Sequence, residues 1–90
     1  MTINNRAFQL GDRVFVKDEN YPDFWANGAT GTVATHPSRS SDGIVRMVKT
    51  VRGYEPNYWV VLDEPRRDGD GDGPYGAAEL AAAWLHPVSS

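Results

Sequence analysis

The chain has 90 residues and a net charge of −3; 40% of its residues are hydrophobic and 23% are charged. These proportions are typical of one small folded domain and exclude a disordered chain, while no apolar run approaches the roughly 18–20 residues of a membrane-spanning helix. Cysteine is absent, which excludes disulfides, thiolate metal sites and thiol redox chemistry. Because the first residues lack the apolar stretch of a secretion signal, we expect a cytoplasmic protein.

Alternating apolar and polar side chains predict an all-β domain with short strands. In chain order, the predicted strands span residues 13–17, 31–35, 44–52, 58–63 and 85–88, with a turn at 53–57. We expect the folded domain to cover residues 10–88 and residues 1–9 to form a flexible N-terminal segment. The side chains predicted to face the core are Val14, Val16, Val33, Tyr58, Val60 and Leu62.

Two long connections and one helical segment complete the prediction. Residues 18–29, the first loop, contain a tyrosine–proline and an asparagine–glycine turn signal, and residues 64–76 form an acidic, glycine-rich connection. Ala, Glu and Leu favour a helix over residues 77–84, where Leu80 and Trp84 lie four residues apart. Five strands with one short helix before the last strand are typical of a small closed barrel.

Three motifs follow one another in a fixed order. They are Gly-Asp-Arg-Val at 11–14, Gly-x-x-Gly-x-Val at 28–33 and Tyr-x-Val-x-Leu-Asp at 58–63, followed by Glu79, Trp84, Leu85 and Pro87. In this order the chain resembles the SH3-like barrels of electron-transport accessory proteins. The C-terminal barrel of the nitrile hydratase beta subunit looks most similar, and the group also includes the photosystem I accessory subunit and the variable chain of ferredoxin–thioredoxin reductase.

The resemblance implies a five-stranded SH3-like barrel with an accessory or docking role, as a nitrile-hydratase-beta-like subunit or activator. The cysteine motif that binds iron or cobalt in nitrile hydratase belongs to the alpha subunit and is absent here, as is the helical N-terminal part of the beta subunit. We expect no catalysis by this chain. Its two histidines, His36 and His86, each precede a proline without a carboxylate at ligand spacing, and no serine lies in a nucleophile motif.

Residues 68–79 match the calcium-loop pattern D-x-[DN]-x-[DN]-G-x5-E. Calcium prefers six to eight oxygen ligands, which alternate carboxylates can supply. The candidate ligands are Asp68, Asp70, Asp72 and Glu79, with Gly73 at the sharp turn. The alternative is a solvated acidic turn, because a predicted strand rather than an entering helix precedes the loop and no second loop is present.

Aromatic side chains in the first loop are the candidate partner-binding residues. Tyr21, Phe24 and Trp25 lie close together in sequence, and Trp59 is expected to point away from the core because it follows the inward-facing Tyr58. Exposed aromatic rings beside polar residues are typical of protein–protein interfaces. We expect a protein partner to bind here; the alternative is that these rings plug the open ends of a barrel.

A short basic strip provides a different candidate, a nucleic-acid surface. The strip consists of Arg39, Arg46, Lys49 and Arg52, opposed within residues 37–52 only by Asp42. Small barrels bind nucleic acids through cations interleaved with stacking aromatics. Four cations are few for a chain of negative net charge, so a solvated strand face is favoured and nucleic acid is not the expected partner.

Overall fold

The computed structural model describes residues 8–38 and 42–88, and it has an all-β fold built on one antiparallel sheet. The strands are β1 (Arg13–Val16), β2 (Thr30–Val33), β3 (Ile44–Thr50), β4 (Gly53–Arg66), β5 (Tyr75–Ala81) and β6 (Leu85–Pro87). A single 3-10 turn, Ala82–Trp84, joins β5 to β6. The predicted all-β class is confirmed, but within these residues the sheet has six strands rather than the five predicted.

Strand β4 is the organising element of the sheet. Its first half pairs with β3 and its second half with β2 along one edge, while β5 pairs along the other edge. Strand β2 in turn pairs with β1, and β1 with β6, which gives the order β3-β4-β2-β1-β6. Within the described residues the ladder does not return to its starting strand, so the sheet is open and the closed barrel stays a prediction.

The core lies on the face of the sheet that the alternation pattern indicates. The five aliphatic residues predicted to line it are all at most 5% exposed: Val14, Val16, Val33, Val60 and Leu62. Tyr58 is fully buried among them, and Leu80 and Leu85 complete the cluster from β5 and β6. The prediction of these core positions is confirmed.

The buried hydroxyl of Tyr58 has a hydrogen-bond partner in Phe8, the first residue that the structure describes. The Phe8 N–H donates to this hydroxyl at 3.1 Å, and the Phe8 ring meets the tyrosine ring edge-on at a centroid distance of 5.5 Å. Burial raises the pKa of Tyr58, and the hydrogen bond from Phe8 opposes that rise. The rest of the predicted flexible segment, residues 1–7, lies outside the described residues, as do residues 39–41 and 89–90.

The predicted helix over residues 77–84 is wrong for most of its length. Residues 77–81 belong to β5, which pairs with β4 so that Leu80 lies opposite Tyr58 and Glu79 opposite Trp59. Helix propensity is a weak preference that strand pairing overrides when an apolar side chain has a place in the core. Only residues 82–84 form a helical turn, so Leu80 and Trp84 do not share a helix face.

The predicted turn at 53–57 is also wrong, because these residues begin β4. The reversal lies at Val51 and Arg52, and Gly53 follows it with a φ of 106°. Pro56 is accommodated inside β4 because it pairs only with Met47 of β3, and the ladder to β5 starts one residue later at Asn57.

The described residues contain no helix with the length and apolar character that a bilayer crossing requires.

Candidate functional site

The first loop, residues 18–29, is a compact series of turns. Backbone hydrogen bonds repeat at a spacing of three residues, from the Tyr21 N–H to the Asp18 carbonyl, from Phe24 to Tyr21 and from Asn27 to Phe24. Gly28 then donates to the Val16 carbonyl, which returns the chain to the end of β1. Because successive turns satisfy its backbone, the loop holds a defined shape without belonging to the sheet.

The Asn27 side chain closes the loop from inside. Its Oδ1 accepts the Asp18 N–H at 2.7 Å, nine residues back along the chain. Its Nδ2 donates to the carbonyls of Tyr21 and Pro22 at 3.0 and 3.2 Å. A single side chain therefore ties the entry, the middle and the exit of the loop together.

Arg66, at the end of β4, fastens the same loop to the sheet. Its Nη1 donates to the carbonyl oxygens of Trp25 and Asn27 at 3.0 and 2.6 Å. Gly28 lies beside this guanidinium with a φ of 88°, a left-handed conformation that glycine adopts without steric cost. Neither Asn27 nor Arg66 is predicted as a positioning residue from the sequence, because Asn27 is part of an asparagine–glycine turn signal and Arg66 is one of several arginines.

Four aromatic rings form a continuous row across the first loop. The ring centroids are 4.5 Å apart between Trp84 and Phe24, 5.9 Å between Phe24 and Trp25, and 6.1 Å between Trp25 and Tyr75. Phe24 and Trp25 are half-buried against the core, whereas Tyr21 projects with 68% of its surface exposed. The structure thus brings the three predicted loop residues together and adds Trp84 and Tyr75, which the sequence does not indicate for this surface.

Two open grooves flank the loop. One, of about 460 Å³, is mainly apolar and is lined by Asp18, Tyr21, Pro22, Asp23, Phe24 and Trp84. The other, of about 530 Å³, is lined by Phe15, Lys17, Asp18, Glu19, Pro22, Asn27 and Gly28. Asp18 and Pro22 belong to both grooves, so the loop forms the ridge between them. We call this ridge, its two grooves and the aromatic row the first-loop surface.

Trp59 is placed elsewhere. It lies on the outer face of β4, and its ring packs against His36 at a centroid distance of 4.5 Å. Within the described residues no ring contact joins Trp59 to Tyr21, Phe24 or Trp25. The structure therefore does not assemble the four predicted partner-binding residues into one surface.

Two of the sequence motifs are in contact on the outer face of the sheet, through Arg13 of the motif at 11–14 and Asp63 of the motif at 58–63. Arg13 donates to both carboxylate oxygens of Asp63, at 2.7 and 2.6 Å, and Thr30 donates to the same carboxylate. The hydrogen bonds from Arg13 and Thr30 hold the pKa of Asp63 far below its usual range, and the same contact raises the pKa of Arg13. Both side chains are substantially exposed, so this pair links β1 to β4 across β2 rather than forming a reactive site.

The acidic connection brings three of the four predicted calcium ligands together. Carboxylate oxygens of Asp68, Asp70 and Asp72 lie within 4.8 Å of one another. One oxygen of Asp68 already accepts the N–H groups of Asp70 and Asp72, and Arg67 donates to the carbonyl of Gly71. This hydrogen-bonding pattern is that of a self-satisfied acidic turn.

Glu79, the fourth predicted ligand, does not join this cluster. It lies in β5, four residues beyond Tyr75, which corresponds to about 13 Å along an extended strand. Its carboxylate accepts Asn57 Nδ2 at 2.8 Å and forms an ion pair with Arg46 at 2.7 Å. The bidentate glutamate that closes a twelve-residue calcium loop is therefore engaged elsewhere.

The basic strip is largely neutralised within the chain. Arg46 pairs with Glu79, Arg52 pairs with Glu55 at 3.0 Å, and Lys49 lies 5.9 Å from the centre of the Tyr54 ring. Arg39 lies outside the described residues. The cations that the structure describes are dispersed along one hairpin and mostly paired.

Both histidines occupy structural positions. His36 accepts the Ser38 N–H through Nδ1 at 3.1 Å, and its ring packs on Trp59. His86 Nε2 lies 3.3 Å from the Lys17 carbonyl oxygen.

Comparison of the chain with protein families, with curated proteins and with solved structures returns no match. The resemblance to SH3-like accessory barrels therefore stays a prediction.

Proposed function

We propose that this chain is a non-catalytic accessory module that binds a protein partner through the first-loop surface. The observation that carries the proposal is the pairing of exposed aromatic surface with a locked backbone. Tyr21 and the mainly apolar groove beside Phe24 and Trp84 offer contact area, while Asn27 and Arg66 hold the loop in place. In this proposal the sheet acts as a small SH3-like barrel that carries the loop.

The energetic basis of the proposal is preorganisation. Binding costs free energy when a loop or a side chain must become ordered, so a loop that is already fixed by hydrogen bonds loses less on association. Aromatic side chains are enriched among the residues that contribute most to interface affinity. The exposed carboxylates of Glu19 and Asp23 lie beside the grooves, and such rim charges orient a partner more than they hold it.

The partner class follows the sequence resemblance. A nitrile-hydratase-like enzyme with a cysteine-containing alpha subunit is the partner that the resemblance implies, with this chain as a beta-like subunit or activator in the cytoplasm. The support is the motif order at 11–14, 28–33 and 58–63, together with the Arg13–Asp63 contact that joins the first motif to the last.

The two other candidate functions have less support. A nucleic-acid surface needs unpaired cations, and Arg46 and Arg52 are already neutralised by Glu79 and Glu55. A calcium-stabilised domain needs Glu79 beside the aspartates, and its carboxylate is bound by Arg46 and Asn57 instead. We therefore retain the protein-binding module as the proposed function.

The test uses a pair of matched tyrosines. Tyr21 on the first-loop surface is 68% exposed and Tyr54 in the β3–β4 hairpin is 67% exposed, so replacing either with serine removes a similar exposed ring. Wild-type, Tyr21→Ser and Tyr54→Ser chains, each shown to keep the wild-type melting temperature, would be used as baits in extract from the native host. Bound proteins would be quantified by mass spectrometry.

A specific partner should be retained by the wild-type and Tyr54→Ser chains and depleted about tenfold by Tyr21→Ser, since losing one central ring costs over 1 kcal/mol at many interfaces. Equal retention by all three chains contradicts the proposal. So does turnover of a nitrile substrate by the purified chain alone.

A further inference from the structure

The β3–β4 hairpin carries apolar surface that the rest of the described chain leaves uncovered. Ten large hydrophobic side chains are exposed within the described residues, and four of them lie here: Met47, Val48, Val51 and Tyr54. Met47 and Val48 are 52% and 37% exposed and are neighbours in β3, so they point to opposite faces of the sheet. Apolar contact area is thus available on both faces of one strand.

The same strand has an unpaired edge. Within residues 8–38 and 42–88, β3 pairs only with β4 and lies at one end of the strand order. The register is shifted between Ile44 and Arg46 but runs unbroken from Arg46 to Thr50. An unpaired edge presents N–H and C=O groups to which another strand can form hydrogen bonds. The part of this edge with unbroken register is five residues long.

Both arginines of the hairpin are paired with carboxylates of the same chain. Arg46 is paired with Glu79 and Arg52 with Glu55 inside the chain. Lys49 remains, beside the ring of Tyr54. Among residues 46–50, Lys49 is therefore the one cation without a carboxylate partner in the described chain, and a strand that pairs here must not place a second cation opposite it.

We propose that β3 pairs antiparallel with β3 of a second copy of this chain, about a twofold axis at Val48. Val48 is the midpoint of the unbroken segment, so this register uses all five residues and avoids the irregularity before Arg46. Met47 then lies opposite the partner's Lys49, and Arg46 lies opposite the partner's Thr50. No like charges face each other directly, and the aliphatic stem of each lysine covers a methionine.

The pairing makes a weak dimer. A five-residue strand edge with its flanking side chains buries less surface than the 1,200–2,000 Å² of a standard interface, so we expect a dissociation constant on the order of 0.1 mM. The surface includes no residue of the first-loop surface. The dimer and the proposed protein binding are therefore independent and fail independently.

Two opposite charges at one position test the pairing. In the Val48-centred register, Met47→Glu places a carboxylate opposite the partner's Lys49 twice per dimer, and Met47→Lys places two ammonium groups in the same positions. We expect Met47→Glu to bind at least as tightly as the wild type and Met47→Lys to have a dissociation constant about tenfold higher than Met47→Glu, measured by sedimentation equilibrium. Met47 is half-exposed and lies outside the core, so both variants should fold.

Val51 supplies the matched control. It lies at the tip of the hairpin, outside the strand ladder, and is fully exposed. Val51→Glu and Val51→Lys make the same charge changes and should leave the dissociation constant within about twofold of the wild type. A wild-type chain that stays monomeric at millimolar concentration overturns the proposal. Equal effects of Met47→Glu and Met47→Lys, or a matching charge dependence at Val51, overturn it as well.

Discussion

Replacing Asn27 with alanine should loosen the first loop and destabilise the whole domain. The substitution removes three hydrogen bonds at once, from the Asp18 N–H at 2.7 Å and to the carbonyls of Tyr21 and Pro22. Leaving the partly buried Asp18 N–H without its acceptor costs about 1–2 kcal/mol, and the two more exposed bonds contribute about 0.5 kcal/mol each. The expected loss of unfolding free energy is about 2 kcal/mol, which lowers the melting temperature of a domain this size by about 10 °C.

The control for this prediction lies in the same loop. Asn20 is exposed, and within the described residues its side chain makes no hydrogen bond, so Asn20→Ala should leave the melting temperature nearly unchanged. Thermal and urea unfolding would measure stability, and hydrogen exchange would show whether the Asp18 amide loses protection in Asn27→Ala. If both variants unfold at the same temperature, or if the Asp18 amide stays protected, the account of how the loop is held is wrong.

Three further predictions concern the sheet and the acidic connection. Gly31→Ala should lower stability by about 1–3 kcal/mol because its new Cβ would lie 2.5 Å from the Val61 carbonyl oxygen, whereas Gly76→Ala, with nothing within 4 Å, should not; equal unfolding curves would refute this. Because Arg13 and Thr30 depress the pKa of Asp63, its contribution to stability is complete above the unfolded-state pKa of about 3.9 and is lost as pH falls, so unfolding free energy should fall less steeply below about pH 4 in Asp63→Asn than in the wild type. An unchanged pH profile in that variant would count against the Arg13–Asp63 link. The melting temperature should be the same in millimolar calcium and in chelator, because Glu79 is held by Arg46 and Asn57; a calcium-dependent rise would show that the aspartates bind the ion without it.

Short-range patterns predicted the core well because each inward position is set by alternation along one strand. Val14 and Val16 are inward for the same reason that Arg13 and Phe15 are outward. The same reasoning located Val33, Val60 and Leu62, whose strands come together only in the folded sheet. Side-chain periodicity is a property of the chain itself, so no knowledge of the partner strand is needed.

Long-range pairing decided the parts that sequence patterns got wrong. Residues 77–81 favour a helix locally, yet their place opposite Asn57–Val61 turns them into β5. Strand β4 begins at Gly53 because β3 is there to pair with it, even though Pro56 indicates a turn. Neither outcome can be judged without knowing which strand lies alongside.

Only part of the candidate site could be predicted, because the rest depends on residues that are distant in sequence. The aromatic loop residues Tyr21, Phe24 and Trp25 lie within one five-residue stretch and could be recognised together. Trp84 joins them only because β5 and the 3-10 turn carry it to Phe24. Arg66 reaches the loop from 41 residues away, and no local pattern distinguishes it from Arg67.

The most direct measurement of the central claim is site-specific photo-crosslinking of the bound partner. A benzophenone amino acid would be placed at Tyr21 in one chain and at Tyr54 in another, since the two positions are equally exposed. We expect one discrete adduct with the bound partner from position 21 and no adduct with that partner from position 54, where only a second copy of the chain should be crosslinked. The same partner adduct from both positions, or a partner adduct from position 54 alone, would contradict a partner-binding role for the first-loop surface.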